Sequence, residues 1–96
     1  MLTHIVLFHF RPEISENKIN DLMKDIRNMK GKIESIVDLN CGKNFTDSAD
    51  QYSHALVVTF KDRSGLKAYS PHPIHQPIIN KVQEMADRVE RIDYEF

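Results

Sequence analysis

Two stretches of the chain are apolar at almost every position. Residues 3–10 and 52–60 are rich in β-branched and aromatic side chains, the composition typical of β-strands. In both stretches, apolar groups occupy both alternating sets of positions, which is the pattern of a strand covered on two sides. The pattern therefore predicts two central strands.

Two other stretches alternate between apolar and polar positions with a period of two. Residues 33–42 set Val37, Leu39 and Cys41 against Ile36, Asp38 and Asn40, and residues 89–96 set Ile92, Tyr94 and Phe96 against Val89, Arg91, Asp93 and Glu95. This period predicts two further strands. We assign residues 33–42 to an edge of the sheet because one of their faces tolerates polar groups.

Between the first two strands, apolar residues recur at three- and four-residue steps over residues 16–29, the stripe of an amphipathic helix. Ser15 is a favourable N-cap for this helix. Gly31 follows the stripe and can adopt the left-handed conformation that ends many helices. The spacing therefore predicts one helix over residues 16–29.

The second half of the chain predicts a short helix that ends near Tyr69, with Asp62 or Ser64 as its N-cap. A longer helical pattern covers residues 74–86. Pro77 either kinks this longer helix or marks its start, because proline is tolerated only in the first turn.

The order of elements is β-α-β-β-α-β, the ferredoxin-like plan, in which the helices cover one face of a four-stranded antiparallel sheet. This α+β arrangement leaves the other sheet face without cover. That face is predicted to hold Ile5, Leu7, Ala55 and Val57, joined by Val37, Leu39 and Val89. An apolar patch of this kind is buried in a partner. We therefore predict a two-fold homodimer, a dimeric α/β-barrel, that packs sheet face to sheet face.

Size and charge narrow the classes of function. The 96 residues predict one domain over residues 1–96, with 13 Lys and Arg against 14 Asp and Glu and no long basic run. This balance argues against a nucleic-acid partner. The single cysteine, Cys41, and the absence of a leader-like pattern predict a cytoplasmic protein. No apolar run approaches the roughly 20 residues of a membrane span, so no membrane partner is expected.

The candidate chemistry lies in residues 69–77, where three prolines restrict the backbone around Tyr69, His72 and His75. Rigid polar groups suit a binding or catalytic site. His75 either serves that site or bonds a backbone carbonyl and caps the turn, and Tyr69 either serves the site or fills the core. Two histidines do not complete a metal site, so we predict no metal and no cofactor.

Two more histidines and one loop are candidates for the same pocket. His4 and His54 belong to the helix-facing sets of the two central strands, as pocket groups or as buried neutral histidines. Both lie at the starts of antiparallel strands, so up to about six residues of strand can separate them, and one joint constellation does not follow from the pattern. The polar residues 43–51 form either a flap over the pocket or an ordinary surface loop.

Over almost its whole length the chain resembles the stress-responsive dimeric α/β-barrel (Dabb) domain family. The resemblance rests on residues 4–8, on Gly42-Lys43-Asn44, on Tyr52-Ser53-His54, on Phe60-Lys61-Asp62 with Leu66 and Tyr69, on His72-Pro73-Ile74-His75 and on Asp93-Tyr94. It implies the fold and the dimer that the patterning predicts independently.

The resemblance also implies site residues. A cyclase similar to this family closes a poly-β-keto thioester by aldol chemistry without a cofactor. By this resemblance, His75 corresponds to the catalytic base and Tyr69 to its partner, while His4 and His54 match other pocket histidines. A neutral imidazole can remove a proton α to a carbonyl, and a phenol can hold the enolate oxygen.

Three classes of function stay open. The first is a pocket lined by Tyr69, His75, His54 and His4, with His72 nearby, that binds a small carbonyl or hydrophobic molecule and performs acid–base chemistry on it. The second is a stress-associated structural domain whose output is dimerisation. The third, from the wider fold, is a cofactorless monooxygenase or a haem-binding protein.

Overall fold

The computed structural model describes residues 1–46 and 51–96. In chain order, the elements are β1 (Leu2–Phe10), α1 (Glu16–Arg27), β2 (Ile36–Lys43), β3 (His54–Phe60), α2 (Arg63–Tyr69), α3 (Gln76–Met85) and β4 (Ala86–Glu95). The strands form one antiparallel sheet in the order β2-β3-β1-β4. The ferredoxin-like prediction is confirmed, with a separate short helix α2 before α3.

Helix α1 begins and ends through the local chemistry that the sequence indicates. The Ser15 side chain accepts a hydrogen bond from the Lys18 amide at 3.2 Å, so it acts as the N-cap. The helix ends at Arg27, two residues before the predicted boundary. Gly31 has φ of +88°, the left-handed conformation that reverses the chain after the helix.

Helices α2 and α3 flank the proline-rich turn. Asp62 caps α2 by accepting a hydrogen bond from the Gly65 amide at 3.2 Å. Pro77 lies in the first turn of α3, which begins at Gln76. Of the two alternatives for Pro77, the start of the helix is therefore confirmed, because its missing N–H costs nothing there.

All four strands begin elsewhere than predicted: β1 starts one residue early, β3 two residues late, and β2 and β4 are each displaced by three residues. Strand β2 starts at Ile36 and not at residue 33, because the Ile33 amide is bonded to the Met29 carbonyl at 3.1 Å in a turn. Strand β4 starts at Ala86, directly after α3 and three residues before the predicted boundary. An irregularity between His9 and Phe10 lets β1 pair with this early part of β4.

The helices cover the sheet face that contains the buried core. Its fully buried members come from β1, β3, the helices and the turn after α1, and include Phe8, Leu22, Ile26, Met29, Val58, Phe60 and Tyr69. Leu39 and Val89 also pack on this side, so their predicted place on the open face is wrong. Leu39 pairs with Val58 and Val89 with Phe8, both of which point to the helices.

The opposite sheet face has no cover within the chain. Ile5, Leu7, Ala55 and Val57 are half-buried there, as predicted. Ile92 and Tyr94 lie beside Ile5 and Thr3 on the same face and are 51% and 49% exposed. Val37, also assigned to this face, lies at the irregularity of β2 and is 50% exposed.

The polar segment after β2 is described only in part. Asn44 donates from its side-chain amide to the Tyr52 carbonyl and accepts from the Thr46 amide, both at 2.9 Å, which closes the end of the β2–β3 hairpin. The remainder of the predicted flap, residues 47–50, lies outside the described residues. In the two described ranges, no helix is long and apolar enough to cross a membrane.

Candidate functional site

A cavity of about 510 Å³ lies between the helices and the β1–β4 side of the sheet. Aliphatic and aromatic side chains form most of the cavity wall, and polar side chains form the rest. The apolar walls are Val6, Phe8, Ile26, Leu56, Leu66, Ile78, Ile79, Val82, Ala86 and Val89. The polar lining comprises His4, Tyr69, Ser70, His75, Gln83, Asp87, Arg88, Arg91 and Asp93. Its volume falls within the range of small-molecule sites, roughly 300–1,000 Å³.

Tyr69 is the most deeply buried polar side chain of this lining, with 1% of its surface exposed. It is the last residue of α2, and its ring packs on Phe60 with 5.2 Å between centroids. Burial raises the pKa of the Tyr69 phenol well above its usual range. The phenol therefore stays protonated at neutral pH and can donate a hydrogen bond.

His75 stacks on Tyr69 with 4.0 Å between the ring centroids. Its Nδ1 lies 3.0 Å from the Ser70 carbonyl oxygen. A carbonyl only accepts, so Nδ1 bears the proton, and Nε2 of the neutral ring is left with its lone pair. Burial lowers the pKa of His75, mainly by penalising the charged ring. The Nε2 atom is therefore a neutral base at physiological pH.

His4 is the third polar ring of the cavity and is 7% exposed. Its Nδ1 lies 2.5 Å from Oδ1 of Asp93, its pairing partner on β4. The carboxylate accepts from Nδ1–H, which fixes the tautomer and orientation of the imidazole. The His4 ring also meets the Tyr69 ring edge to face, with 5.8 Å between centroids.

His54 does not join this group. It pairs with Phe8, four residues along β1 from His4, and it lines a separate groove at the end of β2 and β3. Its Nδ1 lies 2.8 Å from the Ser53 hydroxyl, and burial lowers its pKa. His54 therefore does not line the cavity of His4 and His75, because antiparallel pairing places the starts of β1 and β3 at opposite ends of the strand pair.

His72 also points away from the cavity. Its Nδ1 accepts a hydrogen bond from the Ile74 amide at 3.0 Å, and its side chain lines a groove with Lys61 and Ser64. The backbone turns between His72 and His75, so the two rings do not share a helical face. Among the described residues, no three His, Cys, Asp or Glu side chains form a group that could hold a metal ion.

Several polar residues of the lining carried no predicted role, among them Arg91 and Asp93. Asp93 and Arg91 belong to the set of β4 that alternates with Ile92 and Tyr94, and this set faces the helices. In β4, the alternate positions that face the helices include charged residues, where a strand that faces a core normally has apolar ones. A charged set on the inward side of a sheet indicates a site, because an apolar core would exclude it.

The three rings can therefore do acid–base work. Nε2 of His75 can accept a proton, the Tyr69 phenol can donate to a developing oxyanion, and His4 offers a second Nε2 held by Asp93. The apolar walls favour a carbon chain or ring in the same space.

Comparison with known proteins agrees with this fold. Residues 2–96 match the stress responsive A/B barrel domain (Dabb) family. The chain belongs to this family, as its sequence motifs indicate. An uncharacterized protein of Streptomyces coelicolor is 31% identical over an alignment of 98 positions that covers 100% of this chain and 100% of that protein.

Curated relatives include plant proteins. The stress-response A/B barrel protein HS1 of Arabidopsis thaliana is 29% identical over 93 residues, 95% of this chain and 85% of that protein. The chain spans 46% of the Arabidopsis protein DABB1, at 22% identity. Olivetolic acid cyclase of Cannabis sativa is 28% identical over 74 residues, 75% of this chain and 73% of the cyclase.

Solved structures show the same architecture. The Arabidopsis thaliana protein At3g17210 superposes with a TM-score of 0.89 at 26% identity, covering 100% of this chain and 95% of that one. A dimeric ferredoxin-like protein of Bacteroides fragilis gives 0.80 at 25% identity, with 99% and 95% covered. A hydroxynitrile lyase of Passiflora edulis gives 0.87 at 18% identity, with 97% and 90% covered, and shows the fold alone.

Proposed function

We propose that the cavity binds a small carbonyl compound and that His75 removes a proton from the carbon next to the carbonyl. Tyr69 donates a hydrogen bond to the enolate oxygen that forms. This is acid–base chemistry performed by side chains of the chain, of the kind used by cyclases and lyases.

The observation that supports this proposal is the contact of His75 with Tyr69 inside the cavity. The two rings stack at 4.0 Å between centroids, and both line the same space. A base and an acid side by side on one wall, both within reach of one bound molecule, are what enolate formation requires. Their burial favours the two states that the reaction uses, a neutral imidazole and a protonated phenol.

The anchoring of His75 adds to this argument. Its Nδ1–H donates to the Ser70 carbonyl, so the ring is held in one tautomer and one orientation. The sequence left open whether His75 caps the turn or serves a site. One hydrogen bond allows both, since Nδ1 holds the turn while Nε2 remains for chemistry.

The similarity to olivetolic acid cyclase supports an enzymatic use of this fold. The cavity walls of this chain are mainly Leu, Ile, Val and Phe, which favour a substrate with an apolar chain or ring. The class of substrate that we propose is therefore a small ketone or keto acid with a hydrocarbon portion.

Deuterium exchange tests the proton removal without knowledge of the natural substrate. We expect the protein to speed the incorporation of deuterium next to the carbonyl of 2-octanone in D2O, measured by proton NMR. His75→Ala is expected to lower this rate by about a hundredfold or to the buffer rate, within the usual range for loss of a general base. A wild-type rate equal to buffer contradicts the proposal.

His72→Ala is the comparison variant, since it removes an imidazole that lines a separate groove and does not line the cavity. We expect its exchange rate to match the wild type, because the His72 ring lines another groove. An equal loss in both histidine variants would instead assign the effect to the turn. Circular dichroism and thermal unfolding of His75→Ala separate a capping role, which lowers stability, from a chemical one.

We also propose that two chains pair through their open sheet faces. The support is the half-buried apolar surface of Ile5, Leu7, Ala55 and Val57, extended by Ile92. The dimeric Bacteroides fragilis protein has the same fold. Burial of this surface in a twin removes apolar groups from water, which is the main favourable term in association.

The cytoplasm is the compartment that we propose for this dimer. Cys41 is a free, half-buried thiol, and burial raises its pKa above the ordinary value. A thiol of this kind is stable where glutathione keeps cysteines reduced.

A further inference from the structure

We infer that the substrate of this cavity is anionic, a carbonyl compound with a carboxylate, and that Arg91 binds the carboxylate. This inference rests on the proposed function and names its class of substrate. The inference follows from which charged side chains line the cavity and from which of them already have an ion pair or hydrogen bond.

Apart from its histidines, the cavity is lined by four ionisable side chains, two aspartates and two arginines: Asp87, Arg88, Arg91 and Asp93. Asp93 accepts from His4 and Asp87 accepts from His9, each at 2.5 Å. Arg88 lies over the Tyr52 ring at 5.4 Å and has further interactions. Among the described residues, Arg91 is the one charge of this lining without an ion pair or hydrogen bond from its side chain.

The position of Arg91 explains why it reaches the site. It lies opposite Val6 in the pairing of β4 with β1, on the helix-facing side. Arg91 stands two residues from Asp93 on the same face of β4. The Asp93 carboxylate is paired with His4 and not with Arg91. Arg91 is exposed, so its guanidinium lies at the rim where an incoming anion first meets the cavity.

Arg91 also lies near the proposed base. Burial is the largest cause of the lowered pKa of His75, and the positive charge of Arg91 lowers it further. A carboxylate bound by Arg91 would place the rest of a short molecule between the rim and the rings of His75 and Tyr69. The planar guanidinium matches a carboxylate with two parallel hydrogen bonds, so it fixes direction as well as affinity.

A matched pair of probes tests the charge alone. 4-Oxooctanoate and its methyl ester share the carbonyl and the hydrocarbon chain and differ in the negative charge. Binding is measured by titration of the isotope-labelled protein, following the backbone amide signals of cavity residues by NMR. We expect the acid to bind at least about tenfold more tightly than the ester, the effect of one good charged contact.

Variants then assign the difference to Arg91. Arg91→Gln is expected to weaken binding of the acid by about tenfold and to leave binding of the ester unchanged. Arg91→Lys keeps the charge and restores part of the loss. Arg63→Gln, on an exposed arginine that is paired with Glu95, is the matched control and keeps the affinity for both probes. Circular dichroism confirms that each variant is folded.

The outcomes separate this inference from the proposed function. Equal binding of acid and ester, or an Arg91→Gln variant that still prefers the acid, overturns the role of Arg91 and leaves a neutral carbonyl site in place. No binding of either probe, together with no deuterium exchange in 2-octanone, overturns the proposed function and the inference with it.

Discussion

The imidazole of His75 stacks on the phenol ring of Tyr69, with 4.0 Å between the two centroids. Tyr69 ends α2, and His75 directly precedes α3. Two turn hydrogen bonds join them, from the His72 amide to the Tyr69 carbonyl at 3.1 Å and from the His75 amide to the His72 carbonyl at 2.9 Å. The proline-rich turn therefore places the imidazole of His75 and the phenol of Tyr69 together on one wall of the cavity, where the proposed function needs a base and an acid.

Replacements of Tyr69 separate its ring from its hydroxyl. Tyr69→Phe is expected to change the free energy of unfolding by less than about 1 kcal/mol and to lower deuterium exchange by about tenfold or more. Tyr69→Ala removes a fully buried ring and is expected to cost about 3–5 kcal/mol. Urea unfolding and the exchange assay measure the two effects. An unchanged exchange rate in Tyr69→Phe would leave the phenol with a packing role alone.

The pH dependence of exchange reports the state of His75. Burial lowers the pKa of this imidazole below its ordinary value of 6.5, so the neutral base persists at mildly acidic pH. We expect the exchange rate to hold its plateau as the pH falls to 6.5 and to decline only below it. The rate is followed by NMR in buffers that span this range, against imidazole in solution as the reference. A midpoint above 6.5 contradicts the buried base.

The lowered pKa of His75 also makes the free energy of unfolding depend on pH, with lower stability at acidic pH. Well above pH 6.5 His75 is neutral in both the folded and the unfolded chain and contributes no pH dependence. As the pH falls from 6.5 through the folded pKa, the unfolded chain binds the proton more readily, so stability declines. His75→Asn is expected to make this decline shallower in urea titrations. His54, whose pKa is also lowered by burial, accounts for part of the remainder.

Local pattern was sufficient for the existence of the central strands and for the start of α1. Ser15 acts through a hydrogen bond to an amide three residues away, so the sequence alone predicts it. For Asp62 and Pro77 the sequence offers two alternatives each, and the structure selects one of them. The pairing of Tyr69 with His75 is local too, since one stiff turn joins the residues. These features need no knowledge of how distant strands align.

The sequence pattern was less informative about which face of each strand is buried and how the strands align with one another. Strand β2 has an extra residue at Val37, so Ile36 and Leu39 both pack toward the helices and strict alternation fails. The alternation in β4 is correct, but it does not tell which set faces inward. The inward set contains Arg91 and Asp93, and only the pairing of β1 with β4 places Asp93 beside His4. The charged wall of the site was missed for this reason.

Removal of the Asp93 carboxylate tests how His4 is held. Asp93→Ala leaves a buried imidazole N–H without its acceptor, which is expected to cost about 1–3 kcal/mol. Asp38→Ala is the control, because Asp38 is also a carboxylate on a strand but its partner Lys30 is exposed. We expect this variant to lose less free energy of unfolding than Asp93→Ala. Nitrogen NMR of the imidazoles should show the Nδ1–H form of His4 in the wild type and a mixture in Asp93→Ala. Equal stability losses in both variants would contradict the special role of Asp93.

A charge on the open sheet face tests the proposed dimer. Val57 is half-buried there, paired with Ile5 at the centre of the sheet, so Val57→Glu would place a carboxylate between the two packed faces. The uncompensated charge is expected to raise the dimer dissociation constant by at least about a hundredfold. Sedimentation velocity over a range of concentrations measures this change.

Ile74→Glu is the matched control for the sheet-face variant. Ile74 is 40% exposed in the turn before α3, away from the open sheet face, so the same change of an apolar residue to Glu should leave the dimer intact. Circular dichroism establishes that the Val57→Glu chain is folded, since a folded monomer and an unfolded chain sediment differently. A folded Val57→Glu protein that remains dimeric at low concentration would show that the chains pair through some other surface, or that the sheet face has a different partner.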